Sequence, residues 1–495
     1  MTSKPTDEDQ RWSDLELPKM NLVSLARKFG PGMILMMTGI GTSHLITAPT
    51  AGGRFGYALL WCIPLAYVAK YYGFEMAFRF TNATGKSMIA AYATAWKKWP
   101  LWYVLITTLI QAAIGQAGRL IAAAAVMYYL VNGSFGLDIP IAVYALLLGV
   151  LAVTLILRGN YQALESTTKV LAGILFVSTV AVYLVKPAPL SAFPHFFQIQ
   201  FPEDSWLIIA AFLGLLPTGI DVSLQASEWG KAKKVGMGKI RLRLEEMGIA
   251  KVMDPFAPDK SHLAVRTADL PPDVREYCER WYRIGLWDFR VGYVISFILA
   301  CIFLLLAGVW MYPSAVEGQA VMGEIATIFT ASGGPWMMVV FLAGAFAATF
   351  STALNYFDGW PRIVGACCRN LFHTTAALQG TDPADLGPEH RSTWGSEYNI
   401  YRATMIYSLI SAVLFIAVVP RPVYLVLVAS ALAFFIAPVI FFFNLYYCLT
   451  VIPKENRLFY PSKFAIWFSW ASLAVFCGLT FILIMARVFN VQLFG

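Results

Sequence analysis

A run of polar residues interrupts the first long apolar segment of this 495-residue chain. Residues 39–49 read Gly-Ile-Gly-Thr-Ser-His-Leu-Ile-Thr-Ala-Pro, between apolar stretches at 31–40 and 59–68. Lipid offers no hydrogen-bond partners to hydroxyl groups, to an imidazole or to backbone groups freed from a helix, so this run is expected to face a protein-lined cavity. We interpret it as half of a solute-binding site, with the candidate residues Gly41, Thr42, Ser43, His44 and Thr47.

A second apolar segment is interrupted around Pro217. Residues 214–223 read Gly-Leu-Leu-Pro-Thr-Gly-Ile-Asp-Val-Ser. A proline ring inside a helix removes one backbone hydrogen bond and clashes with the preceding turn, so a break is predicted here. An ionisable side chain beside such a break indicates a functional site, and we predict this role for Asp221; the alternative is a salt bridge or a cap of the second half-helix. The neighbouring candidates are Leu216, Thr218 and Ser223.

Two further candidates, Gln116 and Arg119, lie near the middle of the long apolar segment 101–131. An arginine at that depth requires a carboxylate, a polar cavity or a bound anion. Arg119 is therefore predicted to contribute to the solute site. The alternative is a structural ion pair that holds two helices together, and Asp221 is one possible partner.

Four side chains are candidates for holding a coupling ion, either H⁺ or Na⁺: Asp221, His44, Ser351 and Thr352. Hydroxyl groups together with carbonyl groups freed by a helix break can complete the oxygen shell of Na⁺. Serine and threonine in membrane helices equally often bond their own backbone, so both interpretations stay open. His44 and Asp221 are also the candidate ligands of a metal ion, although His44 could instead be satisfied by carbonyl groups of the break. No cofactor is predicted.

The composition is that of a polytopic membrane protein. Hydrophobic residues make up 58% of the chain and charged residues 13%, whereas a soluble protein carries roughly 25% charge. Apolar runs of about 20 residues predict an all-α fold with eleven membrane spans. The predicted spans are 31–53, 56–78, 101–131, 138–158, 167–186, 206–228, 291–312, 333–358, 402–420, 422–450 and 464–488.

The distribution of charge predicts the topology. Most of the 37 Lys and Arg residues fall before span 1 or in the even-to-odd connections, which places the N-terminus in the cytoplasm and the C-terminus outside, in a plasma or bacterial inner membrane. The net charge of +8 is thus a topological signal and gives no reason to invoke nucleic acid. The predicted organisation is a cytoplasmic segment 1–30, spans 1–6 in 31–228, a cytoplasmic insertion 229–288, spans 7–11 in 289–488 and an external tail 489–495.

The insertion, the charged residues of span 2 and the cysteines are given structural interpretations. The insertion 229–288 is interpreted as a helical subdomain on the bilayer surface, and a protein partner for it is the alternative. In span 2, Lys70, Glu75 and Arg79 are interpreted as an anchor at the membrane interface. The seven cysteines lie in spans or cytoplasmic segments, so a disulfide framework is not expected.

The two interrupted spans are five spans apart. This spacing is expected if spans 1–5 and 6–10 are inverted repeats that meet at the membrane midplane, with span 11 as an addition. In carriers built this way, solute binds between the broken helices, and the predicted partners of this protein are therefore a small solute or ion and the lipid bilayer.

Particular motifs resemble the Nramp-type transporters (natural resistance-associated macrophage proteins). They are Gly30-Pro31-Gly32, the interrupted first span, Ala51-Gly52 with Gly56-Tyr57-Ala58-Leu59-Leu60-Trp61, and in span 6 Pro217-Thr218, Asp221-Val222-Ser223, Ser227 and Trp229. The likeness covers spans 1–10 in layout and is motif-level in spans 1 and 6. The resemblance implies a LeuT-type fold with broken helices 1 and 6, and proton-coupled uptake of a divalent metal ion.

The sequence departs from that family where the metal would bind. The Asp-Pro-Gly-Asn of metal-transporting relatives corresponds to residues 41–44 here, and their span 6 methionine corresponds to Leu216. The acidic pair of span 3 corresponds to Gln116 and Arg119. A carboxylate and a thioether favour binding of transition-metal ions, and Gly41 and Leu216 supply neither.

The sequence therefore favours a secondary-active carrier of a small organic ion or zwitterion, with a guanidinium and a carboxylate on opposite walls of the site. The alternative is a divalent metal carrier, for Mg²⁺ or, as the family implies, Mn²⁺ or Fe²⁺. A hypothesis of another class is a non-transporting receptor or sensor that signals through 229–288. An enzyme is not expected, because the five histidines are scattered and no nucleophile-base pair is visible.

Overall fold

The computed structural model describes residues 16–19, 21, 28–41, 43–159, 161–185, 187–234, 236–250, 260, 263, 265–313, 323, 326, 330, 334, 336–372 and 396–487. Its α-helices are α1 (Pro31–Gly39), α2 (Ala48–Phe55), α3 (Cys62–Thr84), α4 (Met88–Tyr92), α5 (Trp99–Ile110), α6 (Gln116–Phe135), α7 (Ile141–Arg158), α8 (Tyr161–Val185), α9 (Trp206–Leu215), α10 (Val222–Ala232), α11 (Met237–Glu246), α12 (Pro272–Trp310), α13 (Met337–Phe372), α14 (Glu397–Val418), α15 (Pro422–Val451) and α16 (Lys463–Arg487).

Spans 1 and 6 are broken, as predicted. Helix α1 ends at Gly39, a π-helical turn follows over Ser43–Thr47, and α2 continues the span. In span 6, α9 ends at Leu215 and α10 begins only at Val222. Span 3 is α5 and α6 joined by a π-helical turn, Gln111–Gly115, whereas each of the other spans is a single helix. The breaks free backbone groups at the level of the predicted site.

Eight helices of the described residues are long and apolar enough to cross a membrane unaided. They are Trp96–Gly133, Ile141–Arg158, Ser166–Val185, Pro272–Trp310, Met337–Phe372, Glu397–Val418, Pro422–Val451 and Lys463–Ile482. The other three predicted spans, 1, 2 and 6, are too short or too highly charged to meet these two requirements. The halves of spans 1 and 6 are too short, and α3 carries three charged residues, Lys70, Glu75 and Arg79.

The start of span 1 is held by a carboxylate from span 7. Asp288 accepts hydrogen bonds from the backbone N–H groups of Gly30 at 2.9 Å, Gly32 at 2.8 Å and Met33 at 3.0 Å. These are the donors that the first turn of a helix leaves without an intrahelical partner. A β-carbon on Gly32 would lie within 2.7 Å of the backbone of Phe289, which explains a glycine at this position.

The described part of the insertion packs on other helices of the protein. Helix α11 buries Met237, Ile240 and Leu244 in a second hydrophobic cluster with residues from the ends of spans 2 and 10. Helix α12 runs unbroken from Pro272 to Trp310, so the predicted boundary at residue 288 lies inside a continuous helix. No proline lies between 273 and 312, so the last helix of the insertion can continue into span 7 without a break.

Candidate functional site

The two helix breaks touch each other. A β-carbon on Gly39, the last residue of α1, would overlap the carbonyl oxygen of Pro217 and would lie 3.0 Å from the Thr218 side chain. A β-carbon on Gly41 would overlap the hydroxyl of Thr352 in span 8. Only glycine permits such close approach of backbones, so these glycines set the crossing of spans 1, 6 and 8.

Lys70 reaches the break in span 6. Its ammonium donates hydrogen bonds to the carbonyl oxygens of Gly214 at 2.8 Å, Leu216 at 2.8 Å and Thr218 at 3.1 Å, and the residue is 0% exposed. The interpretation of Lys70 as an interface anchor was wrong. The position of Lys70 inside the predicted span 56–78 could have indicated this contact, because an ionisable residue within a membrane span requires a buried partner.

The other two charged residues of span 2 pair with each other. Arg79 donates a hydrogen bond to the carboxylate of Glu75 one turn away, and both side chains are buried. Arg79 also donates to the carbonyl oxygen of Phe459 at 2.9 Å, beside the connection between spans 10 and 11. This pair is therefore enclosed by protein instead of anchoring the helix at the lipid interface.

Asp221 presents a buried carboxylate without a hydrogen-bond partner. The residue is 7% exposed, and both carboxylate oxygens lack a partner among the described residues. The side chain folds back against Gly219. Arg119 and Lys70 act on it as charges, and the indole N–H of Trp360 lies near it without the geometry of a full hydrogen bond. Burying a charge without hydrogen bonds is strongly unfavourable, so this carboxylate lacks the pairing that buried charges usually have.

Arg119 lies against two adjacent aromatic rings of span 8. Its guanidinium carbon lies 3.7 Å from the centre of the Tyr356 ring and 4.9 Å from that of Trp360, and Nη1 donates to the carbonyl oxygen of Gly115 at 2.7 Å. The Tyr356 hydroxyl lies 3.0 Å from the Thr218 hydroxyl. Sequence reasoning missed Tyr356 and Trp360, although their spacing of four residues places both on one helix face.

His44 is satisfied by protein atoms. Nδ1 lies 2.9 Å from the Ser43 hydroxyl and 3.2 Å from the carbonyl oxygen of Gly39, which the break has freed. Nε2 lies 3.1 Å from the Tyr67 hydroxyl and 3.0 Å from the carbonyl oxygen of Ser296. The imidazole thus joins span 1 to spans 2 and 7, and the alternative of a histidine satisfied by freed carbonyl groups fits this geometry.

The remaining predicted residues differ in their surroundings. Ser223 accepts a hydrogen bond from the Asn444 amide of span 10 at 2.7 Å, and Gln116 donates to the carbonyl oxygen of Ala353 at 3.1 Å. Thr47 is fully buried, and its hydroxyl has no partner among the described residues. Thr42 lies outside the described residues. Ser223 and Gln116 therefore hold helices together, whereas the Thr47 hydroxyl is buried without such a contact.

Ser351 and Thr352 bond backbone carbonyl groups. Ser351 donates to Ala348 at 3.0 Å, and the Thr352 hydroxyl lies 2.9 Å from the Ala348 oxygen. Thr352 Oγ1 also lies 3.1 Å from the carbonyl oxygen of Met37, near the end of α1. Oxygen atoms of spans 1 and 8 therefore converge where the first span breaks.

The C-terminal ends of spans 6 and 8 and the start of span 9 are joined by a buried polar network. Asp358 accepts hydrogen bonds from Trp229 Nε1 at 2.7 Å, Arg362 Nε at 2.7 Å and the Tyr401 hydroxyl at 2.6 Å. Asp358 and Arg362 thus form an ion pair that protein encloses. Among the described residues, no group of three or more His, Cys, Asp or Glu side chains could hold a metal ion.

Comparison with known sequences assigns the family. The sequence model described as natural resistance-associated macrophage protein-like, or Nramp, matches residues 32–486. The chain belongs to the Nramp family. An uncharacterized protein of Pasteurella multocida (strain Pm70) is 22% identical to this Nramp protein over 378 residues, covering 73% of this chain and 76% of the relative.

Solved structures show the same fold. A manganese transporter of Eremococcus coleocola, crystallised as a mutant, has a TM-score of 0.65 and 13% identity to this Nramp protein, covering 98% of this chain and 92% of that chain. Mhp1, a nucleobase-cation-symport-1 family transporter, has a TM-score of 0.51 and 11% identity, covering 94% of each chain. MhsT, solved in complex with L-phenylalanine, has a TM-score of 0.50 and 10% identity, covering 92% of this chain and 98% of that chain.

Family and fold together confirm the coarse predictions. This Nramp protein is a multi-pass membrane transporter with the LeuT-type fold, and it is not an enzyme. The structural likeness at these identities concerns the fold alone. The manganese of the Eremococcus coleocola transporter and the L-phenylalanine bound to MhsT are ligands of those proteins.

Proposed function

We propose that this Nramp protein is a secondary-active carrier that works by alternating access and transports a small organic ion or zwitterion. The observation that carries the proposal is the carboxylate of Asp221, which is buried without a hydrogen-bond partner beside the helix break while two cations, Arg119 and Lys70, act on it. Solute sites in carriers of this architecture lie between the broken helices near the membrane midplane.

The charges of the site support a substrate with an anionic group. Arg119 and Lys70 carry two positive charges against one negative charge on Asp221, so a dication would meet net repulsion before it reached the carboxylate. A zwitterion can place its cationic group against Asp221 and its anionic group against Arg119. The planar guanidinium is held by stacking on Tyr356 and Trp360, in the manner that suits binding of a carboxylate.

Neutral polar groups near these charges support an organic substrate. The amides of Gln111 and Gln225 are buried without partners among the described residues. Gln111 lies beside Arg119 at Gly115, and Gln225 lies one turn after Asp221 and packs on Gly359. These donors and acceptors could bind polar atoms of a ligand that a bare ion lacks.

A coupling cation is proposed at the junction of spans 1 and 8. The carbonyl oxygens of Met37 and Ala348 both lie within 3.1 Å of Thr352 Oγ1, and Ser351 is on the same turn of helix. Rotation of the hydroxyl proton away from the carbonyl groups would leave oxygen atoms facing one point, which suits Na⁺. Asp221 is the proposed proton carrier if H⁺ is the coupling ion.

Divalent metal transport, of Mg²⁺ or of Mn²⁺ or Fe²⁺, is the second candidate. The free carboxylate of Asp221 favours it, together with the fold likeness to a manganese transporter.

We also propose the orientation of the chain, with the N-terminus in the cytoplasm and the C-terminus outside. The proposed location is a bacterial inner membrane or a plasma membrane. A protein partner for residues 229–288 is a further proposal.

Uptake into proteoliposomes tests the proposal. Purified protein is reconstituted, and a panel of radiolabelled amino acids, organic cations and carboxylates is compared with Mn²⁺, Fe²⁺ and Mg²⁺ under imposed Na⁺ or proton gradients. We expect saturable uptake of an organic solute that Arg119→Gln weakens and that one gradient accelerates. Metal uptake without organic uptake would establish the second candidate, and no flux of any solute would overturn the carrier function.

A further inference from the structure

The cluster formed by Lys70 and the carbonyl groups of Gly214, Leu216 and Thr218 has a chemistry of its own. Helix α9 ends at Leu215, and the last carbonyl groups of a helix lack intrahelical partners and carry the negative end of the helix dipole. In membrane carriers, such exposed carbonyl groups at the ends of broken helices are places where cations bind. Here the position is filled by a side chain from span 2.

The number of acceptors defines the charge state of this side chain. Three carbonyl oxygens lie within 3.1 Å of Lys70 Nζ, and each needs a hydrogen atom between itself and the nitrogen. An ammonium group has three N–H donors, whereas a neutral amine has two and would direct its lone pair at the third oxygen. The geometry therefore matches a charged ammonium whose donors are all used.

The surroundings keep water and free ions out. Lys70 is 0% exposed, and Leu216 and Thr218 are also buried. The ring of Phe476 in span 11 has its centre 5.9 Å from Nζ, so an aromatic face covers the same ammonium. The hydrogen bonds from the Lys70 ammonium already satisfy the three carbonyl groups, so these groups do not need a separate bound cation.

We propose that Lys70 is a cation tethered by its side chain, which takes the place of a free monovalent ion at the break of span 6. It is a positioning residue: it fixes the unwound segment 216–221, and so the direction of the Asp221 carboxylate. It also places a positive charge in this half of the site, so a coupling ion, where one is used, must bind elsewhere.

Chemical rescue of Lys70→Ala tests this directly. The substitution removes the atoms equivalent to n-propylammonium, so this ion can re-enter the position and restore the bonds to the three carbonyl groups. The readout is the thermal unfolding temperature of purified protein in detergent, without substrate, so the result does not depend on the proposed transport function. Neutral 1-propanol has nearly the same shape and serves as the uncharged probe.

We expect Lys70→Ala to unfold several degrees below wild type and to be stabilised saturably by n-propylammonium but not by 1-propanol. Wild type and Lys97→Ala, which changes an exposed lysine beside Trp96, should show no saturable response. Equal effects of the two probes, or a Lys70→Ala protein as stable as wild type, would overturn the proposal. A purely structural packing role predicts stabilisation by both probes.

A second pair of variants covers the case in which Lys70→Ala does not fold. Lys70→Arg keeps the charge and several donors, whereas Lys70→Gln keeps two N–H donors without charge. We expect the arginine variant to fold and to be more stable than the glutamine variant. Lys70→Gln with wild-type stability would show that a positive charge is not required and would contradict the inference.

Discussion

Gly39 of span 1 lies directly against the carbonyl oxygen of Pro217 in span 6, at the point where both helices are interrupted. The two breaks therefore form one structural unit. A substitution at this contact affects the positions of Thr218 and Asp221 together with the end of α1.

Gly39→Ala is expected to destabilise the protein by about 3 kcal/mol or more, at the upper end of the usual range for overpacking, because its methyl group would overlap a backbone oxygen. Gly173→Ala in α8 is the matched control, since a β-carbon there meets nothing within 4 Å. Thermal unfolding in detergent measures both. A Gly39→Ala protein as stable as the control would show that the breaks do not touch as described.

Asp221→Asn is expected to abolish transport without weakening the fold. The amide has the shape of the carboxylate, and the lower cost of burying a neutral group offsets the lost attraction to Arg119 and Lys70, so the variant should still fold. Loss of a hydrogen bond to a charged group corresponds to about 1.5–3 kcal/mol, or roughly ten- to hundredfold in substrate affinity. Uptake kinetics and thermal unfolding are the two measurements.

Asp288→Asn is the contrasting control for that prediction. Its carboxylate accepts three backbone hydrogen bonds at the start of span 1, so its loss should lower stability and affect transport only through folding. If Asp221→Asn instead unfolded like Asp288→Asn and bound substrate normally, Asp221 would have a structural role.

His44→Ala is expected to reduce stability by about 1–3 kcal/mol, because it leaves Tyr67 and Ser296 without one of their buried partners. Its hydrogen bonds are all to protein atoms, so we expect the pH profile of uptake to keep its wild-type shape in His44→Gln. Uptake measured between about pH 5 and 8 covers the range in which a histidine can change charge. A profile that becomes flat in the variant would assign the proton-coupling role to His44.

Lys86, just beyond the end of span 2, gives a prediction for the pH dependence of stability. Burial lowers the pKa of Lys86 from 10.5 to about 8, and the nearby Glu245 carboxylate opposes this shift. Between these two values the unfolded chain holds the proton and the folded protein has released it. The free energy of unfolding should therefore rise with pH across this window, by up to about 3 kcal/mol from this group.

Lys86→Met removes the titrating group, so the free energy of unfolding of this variant should not show the increase between about pH 8 and 10.5. The measurement is chemical unfolding of wild type and variant from pH 7 to 10.5, with Lys97→Met as a control at an exposed lysine. Below pH 8 the burial of the charge acts in full, so the variant should be at least as stable as wild type there. Parallel curves for wild type and Lys86→Met would contradict the predicted pKa of this lysine.

The sequence by itself determined that this is a helical membrane protein and where two of its helices break. Both properties follow from local physics: long apolar runs are stable only as lipid-facing helices, and the clusters Gly39–His44 and Gly214–Ser223 cannot continue a helix without loss of backbone hydrogen bonds. The motifs around Gly30 and Pro217 were also sufficient to indicate the Nramp family, which the family comparison confirmed.

Only the tertiary structure decided which polar groups face one another. A buried polar side chain must find a partner, but the sequence does not say on which helix the partner lies. His44 finds Tyr67 and Ser296, Ser223 finds Asn444, and Lys70 finds the carbonyl groups of span 6. Asp221 has the charges of Arg119 and Lys70 acting on it but no geometric hydrogen bond among the described residues, which is why we propose it as the group that a substrate satisfies.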